Sequence, residues 1–112
     1  MTNNFGLPED VFADIVNILR RYPEIKRAQI FGSRAKGNYK RYSDVDIAVF
    51  ANSNCDLSQN IKDALEDLDT IYTFDVIHYD KTSNAEIKAH IDRVGINILS
   101  DEKAPEGNVL MP

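Results

Sequence analysis

The sequence predicts an α/β (α+β) fold: a small mixed β-sheet of about four strands flanked by helices. Three observations predict it. Apolar residues recur at helical spacing in three separate stretches. Between and after them lie short runs rich in β-branched and apolar residues, each bounded by glycine, proline or polar clusters. At 112 residues the chain is one domain, in which folding buries roughly 65% of the unfolded surface, enough for a single core.

The elements follow in order. Pro8 suits a first helical turn, where its missing N–H is not needed, and Val11, Phe12, Ile15, Ile18 and Leu19 form an apolar stripe running up to about Tyr22. Pro23 ends that helix. A strand over about Arg27 to Phe31 stops at Gly32, and a short helix or loop follows Gly32-Ser33. Asp44 to Phe50 reads as a second strand, and polar Asn52 to Asp56 as a loop. Leu57, Ile61, Leu65 and Leu68, at i, i+4, i+8 and i+11, describe an amphipathic helix. Thr73 to Tyr79 forms a third strand. Ser83 is expected to cap the last helix in a capping box with Glu86, while Ile87, Ile91 and Val94 supply its stripe. Gly95 ends it, and Ile96 to Leu99 forms a fourth strand. Residues 1–100 thus make one domain, and 101–112, with two prolines, a glycine and charges, a flexible C-terminal tail.

Composition narrows the function. Hydrophobic residues make up 43% and charged residues 28%, as in a soluble domain, and no apolar run approaches the roughly 20 residues that cross a bilayer. The start, Met1-Thr2-Asn3-Asn4, lacks the basic and apolar regions of a signal peptide, so the expected compartment is the cytoplasm, with no membrane contact. The lone Cys55 has no disulfide partner and no companion metal ligands. A net charge of −5 disfavours direct binding of long nucleic acid, whose affinity comes from Lys and Arg against phosphates. Basic residues do cluster at Arg34, Lys36, Lys40 and Arg41, where they can attract a nucleotide's charge.

The chemistry concentrates between Gly32 and Asp75. Asp44 and Asp46, two apart on a strand, point to one face, and Gly32-Ser33 can set backbone N–H groups against a phosphate. In-line displacement at phosphorus is served by two metal ions about 3.5–4 Å apart, and hard Mg²⁺ demands carboxylate oxygens. A third carboxylate is then expected, and Asp75 is the best candidate. It interrupts the apolar strand Phe74-Asp75-Val76-Ile77, where a charge is costly unless paired or bound to metal. His78, three residues on, turns to the opposite face and reads as packing, and neither it nor His90 has a zinc-like spacing. Tyr39 and Tyr42, just before Asp44, are candidates for stacking on a base or touching a ribose.

The run Phe31-Gly32-Ser33-Arg34-Ala35-Lys36-Gly37 followed by Ser43-Asp44-Val45-Asp46-Ile47-Ala48-Val49 resembles the minimal nucleotidyltransferases of the DNA polymerase β superfamily. The likeness extends from the leading helix to the Val94-Gly95-Ile96-Asn97-Ile98-Leu99 segment, and implies a polymerase-β-like nucleotidyltransferase fold. It further implies that Gly32 and Ser33 contact the triphosphate and that Asp44 and Asp46 bind two Mg²⁺ ions. By the same likeness Asp75 completes one metal site and helps deprotonate an acceptor hydroxyl. Arg34 and Ser43, which flank these residues, join them as nucleotide-binding candidates. Lys36 stands where many relatives carry arginine.

Larger members of the superfamily bind their second substrate with further domains, for which this chain has no room. Members of the short type are often encoded beside a helical HEPN protein and act as its antitoxin. The resemblance therefore implies transfer of AMP from ATP, or of another nucleotide from its triphosphate, to a hydroxyl on such a partner, a tyrosine by expectation. Homo- or hetero-oligomers are both compatible with it. The alternatives are transfer to a small molecule or a nucleic-acid end, and a non-catalytic nucleotide-binding module that neutralises its partner by occlusion.

Overall fold

A computed structural model describes residues 5–100. Its elements are α1 (Glu9–Leu19), β1 (Ile25–Phe31), α2 (Gly32–Lys36), β2 (Val45–Ala51), α3 (Ser58–Glu66), β3 (Phe74–His78), α4 (Ala85–Val94) and β4 (Ile96–Ser100). The four strands lie in the order β3-β2-β1-β4. β1 pairs antiparallel with both β2 and β4, whereas β2 and β3 run parallel. A parallel pair needs a crossover connection, which α3 supplies. This is the mixed, helix-flanked sheet that the sequence predicts. The expected tail at 101–112 lies outside the described residues. No helix among those described is long and apolar enough to cross a membrane.

Alternation along the strands sorts their side chains onto two faces. On one face Val45, Ile47 and Val49 of β2 join Ala28, Ile30, Phe74 and Val76 in a core closed by Ile15, Ile18 and Leu19 of α1 and Ile61 and Leu65 of α3. Each large aliphatic buried there contributes roughly 1.5–3 kcal/mol. On the other face α4 packs Ile91 against Phe31 and Ala48, with Ile77, Phe50 and Tyr79 around them. Ala48 is the small residue that lets the helix sit close. Near the start of β2 and β3 the same face carries Asp46, half-buried, and Asp75, exposed.

Three boundaries differ from expectation for local reasons. α1 stops at Leu19, before Tyr22, because Arg21 and Tyr22 donate instead to Ile18 and Leu19 three residues back, tightening the last turn ahead of Pro23. α4 is capped by Asn84, whose Oδ1 accepts from the Ile87 N–H at 3.1 Å, and not by Ser83. Glu86 then falls one position short of the place a capping box requires. α3 lacks a side-chain cap at Leu57, and its start is satisfied from outside. The Ser58 N–H donates to Asp56 Oδ1 at 2.8 Å, and the Leu57 N–H to Nδ1 of His78 at 3.1 Å. His78 is buried and its Nε2 lies 3.3 Å from the Ala51 carbonyl, so its work is packing, on the face away from Asp75.

Candidate active site

β1 ends in Phe31, and the chain turns sharply at Gly32, whose φ is +72°. That conformation favours glycine, and a second constraint acts on the same atom position. A Cβ there would overlap Oδ2 of Asp46, so only a bare backbone lets the carboxylate rest against the turn. Ser33 follows in the first turn of α2, half-buried. The helix lasts five residues and closes at Gly37, φ +88°, with the Gly37 N–H donating to the Ser33 carbonyl at 2.9 Å.

The three aspartates lie on one sheet face at the N-terminal ends of the parallel pair. Asp46 and Asp75 are direct partners across β2 and β3, which places their backbones about 4.8 Å apart. Asp44 immediately precedes β2 and shares the face of Asp46 by alternation. Burial pushes the Asp46 carboxyl up to about 6, and the charges of Asp75 and then Asp44 push it the same way, with Arg34 opposing. An all-oxygen cluster whose members repel one another, set against a single opposing guanidinium, matches a hard divalent cation in donor chemistry. Among the described residues no three His, Cys, Asp or Glu side chains converge tightly enough to hold an ion as they stand. Asp44 accepts a hydrogen bond from the Thr73 hydroxyl through Oδ1. The strand register sets the three carboxylates on one face, at one end of the sheet.

Arg34 sits differently from the expected phosphate ligand. It is 1% exposed, and its guanidinium points into the protein. Nη1 donates to the Phe5 carbonyl at 2.7 Å, Nη2 to Ser43 at 3.0 Å and Arg41 at 3.3 Å, and Nε to Ser43 at 3.2 Å. The rings of Tyr39 and Tyr72 lie 5.1 Å from its central carbon. With four of its five N–H donors on backbone carbonyls, Arg34 clamps the loop that leads into Asp44. Ser43 belongs to the same clamp, since its carbonyl takes two of those bonds and its Oγ accepts from the Lys40 N–H at 2.7 Å. The cations left exposed near the site are Lys36, Lys40 and Arg41. Of the two tyrosines, Tyr39 is packed against Gly6 and Arg34, while Tyr42 is 68% exposed, with the Arg41 guanidinium 5.4 Å from its ring.

Sequence reasoning passed over Thr73 and Tyr72. Thr73 was detectable, because counting back two residues from Asp75 puts it on the carboxylate face. Tyr72 carried no such signal, since its contact with Arg34 depends on how the loop folds back. Cys55 is exposed and free, and the His90 ring meets Phe31 edge-on at 6.0 Å.

The family model described as "Polymerase beta, Nucleotidyltransferase" matches residues 13–104 of this chain. A Haemophilus influenzae protein named "Probable protein adenylyltransferase MntA" is 32% identical over 78 residues, spanning 68% of this chain and 68% of that protein. A crystal structure of a toxin-antitoxin with AMP-PNP superposes with a TM-score of 0.63 at 23% identity, covering 82% of this chain and 75% of that one. A complex of tri-AMPylated HEPN toxin with MNT antitoxin from Shewanella oneidensis matches with a TM-score of 0.58 at 20% identity, over 82% of this chain and 71% of that one. At these identities the structural likeness speaks for the fold.

Proposed function

The chain belongs to the polymerase beta nucleotidyltransferase family, and from that premise we propose that it transfers AMP from ATP to a hydroxyl of a HEPN-type partner, acting as its antitoxin. The observation that carries the chemistry is the placement of Asp44, Asp46 and Asp75 on one sheet face, beside the Gly32-Ser33 turn. Support for the acceptor comes from the relatives: one is named for protein adenylylation, and another solved complex holds an AMPylated HEPN toxin. The net charge of −5 favours docking to a basic partner protein over gripping RNA itself.

In this reading Asp44 and Asp46 would hold two Mg²⁺ ions, and Asp75 would complete one of the sites. When bound, the ions supply charge stabilisation to the attacking and leaving oxygens. The chain's own residues do the rest. The Gly32 and Ser33 turn orients the triphosphate, and the fixed backbone of β2 and β3 aligns it for in-line attack. The acceptor oxygen bonds to the α-phosphorus, the bond to pyrophosphate breaks, and the hydroxyl proton passes to Asp75. Because the substrate is ATP, the work belongs in the cytoplasm. Tyr42, exposed beside the loop, is available to stack on the base.

The test is to incubate the chain with a HEPN-type protein encoded beside it, where the genome supplies one, or otherwise with the HEPN toxin of a relative, together with ATP and Mg²⁺, and to weigh both proteins. The partner should gain whole AMP units with the native chain and none with Asp44→Asn/Asp46→Asn. Neutralisation of the partner without any mass gain would replace this reading with occlusion.

A further inference from the structure

We propose that Thr73 is a positioning residue for Asp44, holding its carboxylate at the cation site. The inference rests on the metal-dependent reading above. The parallel register pairs Val45 with Phe74 and Asp46 with Asp75, so one step toward the open end Asp44 stands opposite Thr73. Thr73 engages that end of β2 twice. Its carbonyl accepts from the Val45 N–H at 2.9 Å, and its hydroxyl donates to Oδ1 of Asp44.

Asp44 needs such a partner more than Asp46 does. It lies outside the strand, just after the loop that Arg34 holds by the Ser43 carbonyl, and it is exposed. Asp46 is fixed by strand pairing and by contact with the Gly32 turn. A β-branched threonine has few side-chain rotamers, so its hydroxyl stays aimed and selects one orientation of the Asp44 carboxylate. Oδ1 is then engaged and Oδ2 is left for a cation. Groups that orient a metal ligand in this way typically change metal affinity or activity by about 10–100-fold when removed. Thr73 is itself exposed, so the core does not depend on its hydroxyl.

The experiment titrates Mn²⁺ into the full chain with a non-hydrolysable ATP analogue present, following free Mn²⁺ by paramagnetic resonance, for native protein, Thr73→Val and Thr73→Ser. Thermal unfolding in EDTA is recorded for all three. The expected result is Mn²⁺ binding weakened at least about tenfold in Thr73→Val. It should be near native in Thr73→Ser, with all three unfolding alike in EDTA. AMP transfer by Thr73→Val should recover as Mg²⁺ is raised. Equal Mn²⁺ affinity in native protein and Thr73→Val, or a serine variant as weak as the valine one, overturns the role of Thr73 and leaves the nucleotidyltransferase reading standing. Native protein that binds no Mn²⁺ with the analogue present overturns both.

Discussion

Asp46 carries the sharpest conflict between stability and chemistry in the chain. It is half-buried, stands opposite Asp75, and follows Asp44 on the same face, so its ionised form is penalised and its carboxyl is pushed up from 3.8 to about 6. For a carboxyl whose folded value is raised, the folded state holds the proton more tightly between about pH 4 and pH 6. The stability this group contributes is therefore present at the acid end and is lost as pH rises through 6. At neutral pH without metal, the ionised Asp46 is a liability that a bound dication removes. Asp46→Asn should accordingly raise stability in EDTA at pH 7 by about 1 kcal/mol, once solvent screening is allowed for, and abolish transfer. Urea unfolding across pH 4–7 checks it. The variant should lose the slope that native protein shows in that window. The aspartate pair and its shared face are legible from spacing alone, since alternation is a property of any strand. The upward push on Asp46 is not, because it depends on burial and on a partner 29 residues away.

At the scale of elements, the stretch between α2 and β2 is held by a side chain from the helix that precedes it. Arg34 satisfies three carbonyls, those of Phe5, Arg41 and Ser43, with one planar fork. In sequence it looks like one more cation in a basic cluster, because nothing in Arg34, Lys36, Lys40 and Arg41 distinguishes the buried member from the exposed ones. Only the fold-back of the loop does so. Replacing Arg34 by methionine should destabilise the protein by about 3 kcal/mol, by stranding those carbonyls. Lysine should not rescue it, since an ammonium cannot reproduce the fork. Denaturant unfolding measures the loss, and proteolysis within residues 37–44 should accelerate in both variants. The remaining elements were legible because each carries its own periodic stripe and its own stop signal. Their ends were less so. Asn84 outcompetes Ser83 as a cap by one residue, and α3 borrows its start from Asp56 and His78, a contact that spans 21 residues.

Across the described residues, α1 and α3 close one face of the sheet and α4 packs on the other. The α4 face carries the carboxylates at the N-terminal ends of β2 and β3, next to the turn that leaves β1. That arrangement follows from the strand order β3-β2-β1-β4, which sets β2 in the interior of the sheet with the Gly32 turn on one side and Asp75 on the other. Family likeness and motif order anticipated the sheet. The pairing that joins Asp46 to both Phe31 and Asp75 required the structure. The central claim is that these carboxylates make nucleotide binding depend on a divalent cation. It is tested most directly by calorimetric titration of a non-hydrolysable ATP analogue into native protein and Asp44→Asn/Asp46→Asn, each with Mg²⁺ and with EDTA. The account predicts binding to native protein in Mg²⁺ alone and none to the variant in either buffer. Equal affinity in EDTA, or a variant that binds as the native chain does, would contradict it.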